Sequence, residues 1–185
     1  MFNPDTGLAS AYMPSLETAA RSLKVEAIIA TVRSDVEIET TIITLGGEPG
    51  RGLVAMPDLF NVAHRAPIIS AAARNNVPAV YNQSAFAREG GLLSYGPDPV
   101  DTCRRAASYV DRILRGEKPG DLPVQFPVKY GMAVNLKTAN ALGLRGATVD
   151  SAARGSGDRV TASYVDLVSA VIDEAAARSS VICSA

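Results

Sequence analysis

The chain has 185 residues, 47% of them hydrophobic and 20% charged. That is ordinary globular composition, which excludes disordered and fibrous classes, and the length suits one domain, or one domain with pieces of a second. Eighteen basic against nineteen acidic residues leave a net charge of −1, so no global field draws the chain to nucleic acid or anionic membranes.

Phe2-Asn3-Pro4-Asp5-Thr6 reads as a strand end running into a turn, where Pro fixes φ and Asn, Asp and Thr side chains cap the next segment. Leu8, Tyr12, Leu16, Ala19, Ala20 and Leu23 then recur at three- and four-residue intervals, which predicts a helix kinked or restarted at Pro14. Val25–Val32 is a short apolar, β-branched run with the length of a buried strand. Ser34 and Glu37 have capping-box spacing at the start of a helix that carries Ile38, Ile42 and Leu45 and stops at Gly46-Gly47.

Gly52–Met56 is the next predicted strand, followed by one helix from about Asn61 to Asn75 in which Pro67 is awkward, and then by a strand at Val77–Tyr81. Alternating strands and helices with short loops argue for a three-layer α/β fold, a parallel sheet with helices on both faces. Beyond Gly90 come a short strand at Gly91–Ser94, a helix at Pro99–Leu114, and a Pro-rich extended crossing at Glu117–Pro127. A strand at Tyr130–Val134 and a short helix at Leu136–Leu142 complete this part. After Leu144 the chain turns to Gly, Ala, Ser, Arg and Asp, read as a polar linker, before helix periodicity returns over Tyr164–Arg178.

In open parallel sheets ligands sit beyond the carboxyl ends of strands, where helix N-termini and loop side chains converge. That rule selects Asn3, Asp5 and Thr6, then Asp58, then Tyr81, Asn82 and Gln83. Asp58 is suited both to accept hydrogen bonds from a ligand ammonium group and to cap the following helix. Tyr81 suits either stacking on a ligand or packing in the core. The single histidine, His64, has no fixed catalytic partner in sequence, and the Gly-rich stretch Gly46–Gly52 precedes a strand, unlike a phosphate-binding loop. Cys103 and Cys183 show no metal or redox spacing. No cofactor, metal or catalytic residue is expected.

Taken together, Phe2–Thr6 (FNPDT), Gly52–Arg65 (GLVAMPDLFNVAHR), Val77–Tyr81 (VPAVY), Gly90–Asp98 (GGLLSYGPD), Arg104–Tyr130 and Asn135–Leu144 (NLKTANALGL) resemble the substrate-binding proteins of ABC importers. The resemblance is to the tryptophan- and tyrosine-binding-like group, with a type I periplasmic-binding-protein fold. It implies one lobe of a two-lobe ligand clamp plus part of the other. Residues 1–89 would be most of the second lobe, 90–118 a crossing belonging to the first lobe, and 119–144 a hinge return, with 145–185 a divergent tail. The match starts inside the family's pattern, so truncation at the N-terminus is expected, with self-association through uncovered surface.

The resemblance further implies a small-molecule solute such as an amino acid, an ABC permease as partner, and no bond made or broken. It places Asn3, Asp5, Thr6 and Asp58 at the cleft and Tyr95 and Asp98 on the hinge-side crossing. It implies a periplasmic or lipoprotein location, whereas no export segment is read at the N-terminus, so the chain as it stands is expected in the cytoplasm. The tail reads either as a shifted reading frame or as a divergent end. Two rival functions share a related architecture. The ligand-sensing core of a transcription regulator would need a preceding DNA-binding helix pair, and a phospho-acceptor receiver domain would need more acids near Asp5 and a lysine between Lys24 and Lys118.

Overall fold

The computed structural model describes residues 1–6 and 9–144. The tail, with its predicted linker and last helix, lies outside the described residues. In chain order the elements are α1 (Ala9–Ser22), α2 (Asp35–Gly46), β1 (Leu53–Val54), α3 (Leu59–Ala63), α4 (Arg65–Arg74), β2 (Ala79–Tyr81), α5 (Ser84–Arg88), β3 (Leu93–Pro97), α6 (Pro99–Leu114), β4 (Tyr130–Val134) and α7 (Leu136–Ala141), with a 3-10 turn at Pro119–Asp121.

The sheet has the order β1-β2-β3-β4. Pairs β1–β2 and β2–β3 are parallel, while β4 runs antiparallel to β3 from Val134 opposite Leu93 to Tyr130 opposite Pro97. The expected parallel sheet is therefore mixed, because the crossing after α6 brings the chain back down the edge of β3. Met1 and Phe2 extend the order beyond β1. The Met1 amine donates to Val54 O at 2.8 Å and Met56 N to Met1 O at 3.0 Å. On the other side Phe2 forms a parallel bridge to Thr31, with Phe2 N donating to Ala30 O and Val32 N to Phe2 O.

That single bridge corrects the expectation of a strand at Val25–Val32. A ladder needs a partner along its length, and here the neighbouring chain runs beside the segment only at Phe2. Ile28 and Ile29 are exposed as a result, while Val32, next to the bridge, is fully buried.

The main core gathers Val32, Ile38, Ile42, Ile68, Tyr81 and Phe86 between sheet and helices, and a smaller cluster joins Val80, Leu92, Leu93, Ala139 and Leu144. Ser34 caps α2 by accepting from Glu37 N, while the Glu37 carboxylate reaches back to Arg33 N at 2.7 Å. Helix α2 stops at Gly46, where a Cβ would lie 2.7 Å from Asn75 O at the end of α4, so only glycine allows this approach.

The one helix expected over Asn61–Asn75 is two helices, with His64 ending α3 and starting α4. The restart resolves the awkward proline. Pro67 becomes the third residue of α4, inside the first turn, where N–H groups have no intrahelical acceptor to lose. Helix α5, not expected from the sequence, spans only five residues and carries no periodicity to reveal it.

Helix α6 starts at Pro99 after Asp98, whose carboxylate accepts from Val100 N and Asp101 N, and ends before Gly116 at φ 102. It buries no residue. The return segment holds to it through the Tyr109 hydroxyl on Pro123 O and Arg105 on Gln125, yet Val124 is 90% and Phe126 82% exposed.

Candidate functional site

Two chain directions diverge at Met1–Phe2. Helix α1 leads from there to the Val25–Val32 segment on one side, while β1 lies on the other. In open parallel sheets, ligand sites form beyond the carboxyl ends of the two strands at a reversal of this kind. The residues just past those ends are Asn3 to Thr6 and Asp58.

The structure brings Asn3, Thr6 and Asp58 together. Asp58 Oδ2 accepts from Asn3 N at 2.6 Å, and Oδ1 accepts from Thr6 Oγ1 at 2.8 Å and from Phe60 N at 2.9 Å. The last of these is the helix cap of α3. Asp58 is only 6% exposed, and a buried carboxylate is tolerable when donors surround it. Three of its roughly four acceptor positions are filled, which leaves Oδ2 able to take one more hydrogen bond.

Asn3, also buried, accepts from Asp5 N at 2.8 Å through its Oδ1, closing the Asx turn that the Asn-Pro-Asp sequence favours. Asp5 sits at the exposed rim, paired with Arg33 Nε at 2.9 Å.

Sequence reasoning missed Asn61. Its side-chain amide donates to Met1 O at 3.2 Å and Met56 O at 3.0 Å, tying together the two strand ends beside the cluster. Its Oδ1 is buried without a protein donor among the described residues. The signal available in sequence was a polar residue three positions after Asp58, on a helix whose neighbours are apolar.

Tyr81 lies in the core, 1% exposed, its ring stacked on Phe86 at 4.5 Å. Burial pushes its hydroxyl above the usual phenol range, and that hydroxyl has no partner among the described residues. Tyr95 stands on β3 with its ring stacked on Tyr130 of β4 at 5.7 Å. Asp98 caps α6 and pairs with Lys129 Nζ at 3.0 Å; the Lys129 hydrogen bond holds the carboxyl below its ordinary range. Sheet order puts β3 two places from β1, so Tyr95 and Asp98 form a second group apart from Asp58. His64 stacks on Phe60 at 3.9 Å and approaches Asp35 at 3.7 Å.

Among the described residues no three His, Cys, Asp or Glu side chains are grouped as a metal ion would need, and no helix is long and apolar enough to cross a membrane.

Residues 1–149 match the family model described as ABC transporter substrate binding protein. No curated protein matches the chain. Among solved structures, a conserved domain protein from Vibrio cholerae matches with TM-score 0.73 and 23% identity, over 82% of this chain and 51% of its own. An ABC domain in complex with L-Trp from Streptococcus pneumonia matches with TM-score 0.72 and 19% identity, over 82% and 52%. A ligand-free, open substrate binding protein with adhesive properties from Clostridium difficile matches with TM-score 0.58 and 19% identity, over 79% and 49%. The chain thus spans about half the length of the solved structures it matches, and at these identities the likeness is one of fold.

Proposed function

This chain belongs to the ABC transporter substrate binding protein family, and on that premise we propose that it supplies one face of a solute-binding site for an ABC importer, taking up a small molecule such as an amino acid without making or breaking bonds. The observation that carries the reading is the Asn3–Thr6–Asp58 cluster beyond the strand ends at the reversal of strand order. Its free acceptor position on Asp58, with the unpartnered Asn61 Oδ1 three residues further along the chain, suits the ammonium group of an amino acid. The complex of one fold neighbour with L-Trp supports the same ligand class.

In this reading residues 1–89 form one lobe of a clamp, 90–118 cross to the other lobe and 119–144 return along the hinge. The lack of any buried residue on α6 supports the crossing, since a helix serving this lobe would bury its apolar stripe here. Asn3, Asp5, Thr6 and Asp58 contact the solute, Tyr95 and Asp98 border it from the hinge side, and Tyr81 supports the floor from within the core. The lobes close over the ligand by a hinge motion, and the closed form is presented outside the cytoplasm to the membrane permease.

By itself the chain is expected to bind L-tryptophan and other amino acids no tighter than about millimolar, because half a clamp buries half of its ligand. Asp58→Asn should weaken that binding at least tenfold, about 1.4 kcal/mol. Unchanged affinity with an unchanged melting temperature removes Asp58 from the site, and a lower melting temperature alone leaves it only the helix cap.

A further inference from the structure

The proposed clamp closes by a hinge motion, and β3 is built to bend at one level. Its pairing with β2 ends at Tyr81 opposite Ser94. Its pairing with β4 runs on, through Tyr95 opposite Met132, Gly96 opposite Gly131 and Pro97 opposite Tyr130. From Tyr95 onward the two strands therefore leave the wider sheet as a ribbon of two, a form that takes up larger twists than a broad sheet does.

At the root of that ribbon the two glycines face each other, so no cross-strand side-chain pair stiffens the ladder there. Their surroundings differ. A Cβ on Gly96 would overlap the carbonyl oxygen of Asn82, the residue that follows β2, so β3 rests directly on that carbonyl. A Cβ on Gly131 would meet nothing within 4 Å among the described residues. On the packed side of this level Leu93 is buried with Met132 and Val134 against it, and Asn135 ties the end of β4 to Leu92 O and Ala87 O. On the outlying side Asp98 N donates to Lys129 O, the Asp98 carboxylate pairs with Lys129, and Arg105 and Tyr109 hold the return segment to α6. Two bodies with their own internal bonds are thus joined through strands that each carry a glycine at the same level. The rings of Tyr95 on the packed side and Tyr130 on the outlying side stack across it at 5.7 Å.

We propose that the Gly96–Gly131 pair is the pivot on which α6 and the return segment turn against the packed half, with the Asn82 carbonyl as fulcrum and the Tyr95–Tyr130 stack holding one setting. What the motion is for rests on the clamp reading, while the bend itself follows from the ribbon. In that reading Gly96 and Gly131 are positioning residues. They touch no solute, but they set how far the outlying body stands from Asp58. The freedom of the pair then decides what fraction of molecules is competent to close, and the apparent affinity of the clamp scales with that fraction.

The test measures, in the whole 185-residue chain, the distance between nitroxide labels on Cys103 of α6 and on Val36→Cys of α2, both at exposed positions. Cys183→Ser removes the other native thiol, and pulsed electron paramagnetic resonance reads the distance distribution. The labelled parent should give a broad distribution. Gly131→Val has room for its side chain and a backbone outside the left-handed region, and it should narrow the distribution about twofold, because a β-branched residue restricts backbone that glycine leaves free. Gly120→Val, on the return segment with equal room, should leave the width unchanged, and Tyr130→Ala should broaden it. Thermal melts confirm that each variant is folded, and Gly131→Ala carries the same comparison if the valine variant is not. An unchanged width at position 131, a narrowing shared by Gly120→Val, or a parent distribution that is already narrow each overturns the pivot. No solute is present, so these outcomes leave the solute face at Asp58 to be decided by its own L-tryptophan titration.

Discussion

Helices α4 and α6 are both regular and well capped, yet they differ in what they serve. Ten-residue α4 buries Ile68, Ile69, Ala71 and Ala72 against α2 and the sheet. Sixteen-residue α6 buries nothing, leaving Val100, Val110 and Leu114 exposed alongside Val124 and Phe126 of the return segment. Local sequence is thus sufficient to make a helix, through Asp98, Pro99 and Gly116 in the case of α6, whereas only a partner surface makes it part of a core. The packed half of this chain is complete around α4, and the outlying half presents its apolar residues outward.

Shortening one side chain in each half tests this contrast most severely. Ile68→Ala, at a position 0% exposed, should cost about 3 kcal/mol through lost burial and a residual cavity. Leu114→Ala should change stability by no more than about 0.5 kcal/mol. Denaturant melts of the two variants check this. A cost at Leu114 matching that at Ile68 would mean that α6 is covered in solution.

A smaller effect separates the two halves through titration. The buried Met1 amine has its pKa lowered from 8.0 to about 6, so between those values the unfolded chain binds more protons. Stability should therefore rise as pH goes from about 6 to about 8, by on the order of 2 kcal/mol, with the penalty complete below that window and absent above it. Amino-terminal acetylation should remove the slope, and a slope that survives acetylation would assign it to another group.

The smallest effect belongs to the outlying half. Asp98 is held below its ordinary range first by the hydrogen bond from Lys129, which contributes stability above the ordinary carboxylate range that is lost as pH falls through the depressed value. Because Lys129 is exposed and Asp98 only partly covered, solvent screens the pair, so Lys129→Met should raise the Asp98 pKa seen by NMR while leaving the melting temperature at neutral pH unchanged. A clear drop in melting temperature would show that the pair is shielded from solvent.

Legibility in the sequence divides along the same line between local and distant causes. The bounds of α6 and β4 were readable because Pro99, Gly116 and the turn residues around Tyr130–Val134 punctuate them locally. The strand expected at Val25–Val32 failed because pairing depends on a neighbour that meets it only at Phe2. Pro67 misled the reading of α3 and α4 because a proline is awkward only if the helix began earlier. At the candidate site, Asn3, Thr6 and Asp58 were each picked out from strand ends, but the bonds joining them span 52 and 55 residues of chain, and nothing local announces them. Asn61 went unseen for the same reason, since its partners are two strand ends brought side by side by the fold.

The proposed role stands or falls on whether the crevice at Asn3, Thr6 and Asp58 is the solute face of this chain. A site-resolved NMR titration of the 185-residue chain with L-tryptophan, up to about ten millimolar, reaches the range a half-site requires. Shifts should concentrate at the amides of Asn3, Asp5, Thr6, Phe60 and Asn61, saturate near millimolar concentration, and disappear in Asp58→Asn. Shifts confined to α6 and the return segment, or none at the strand ends, would contradict the assignment.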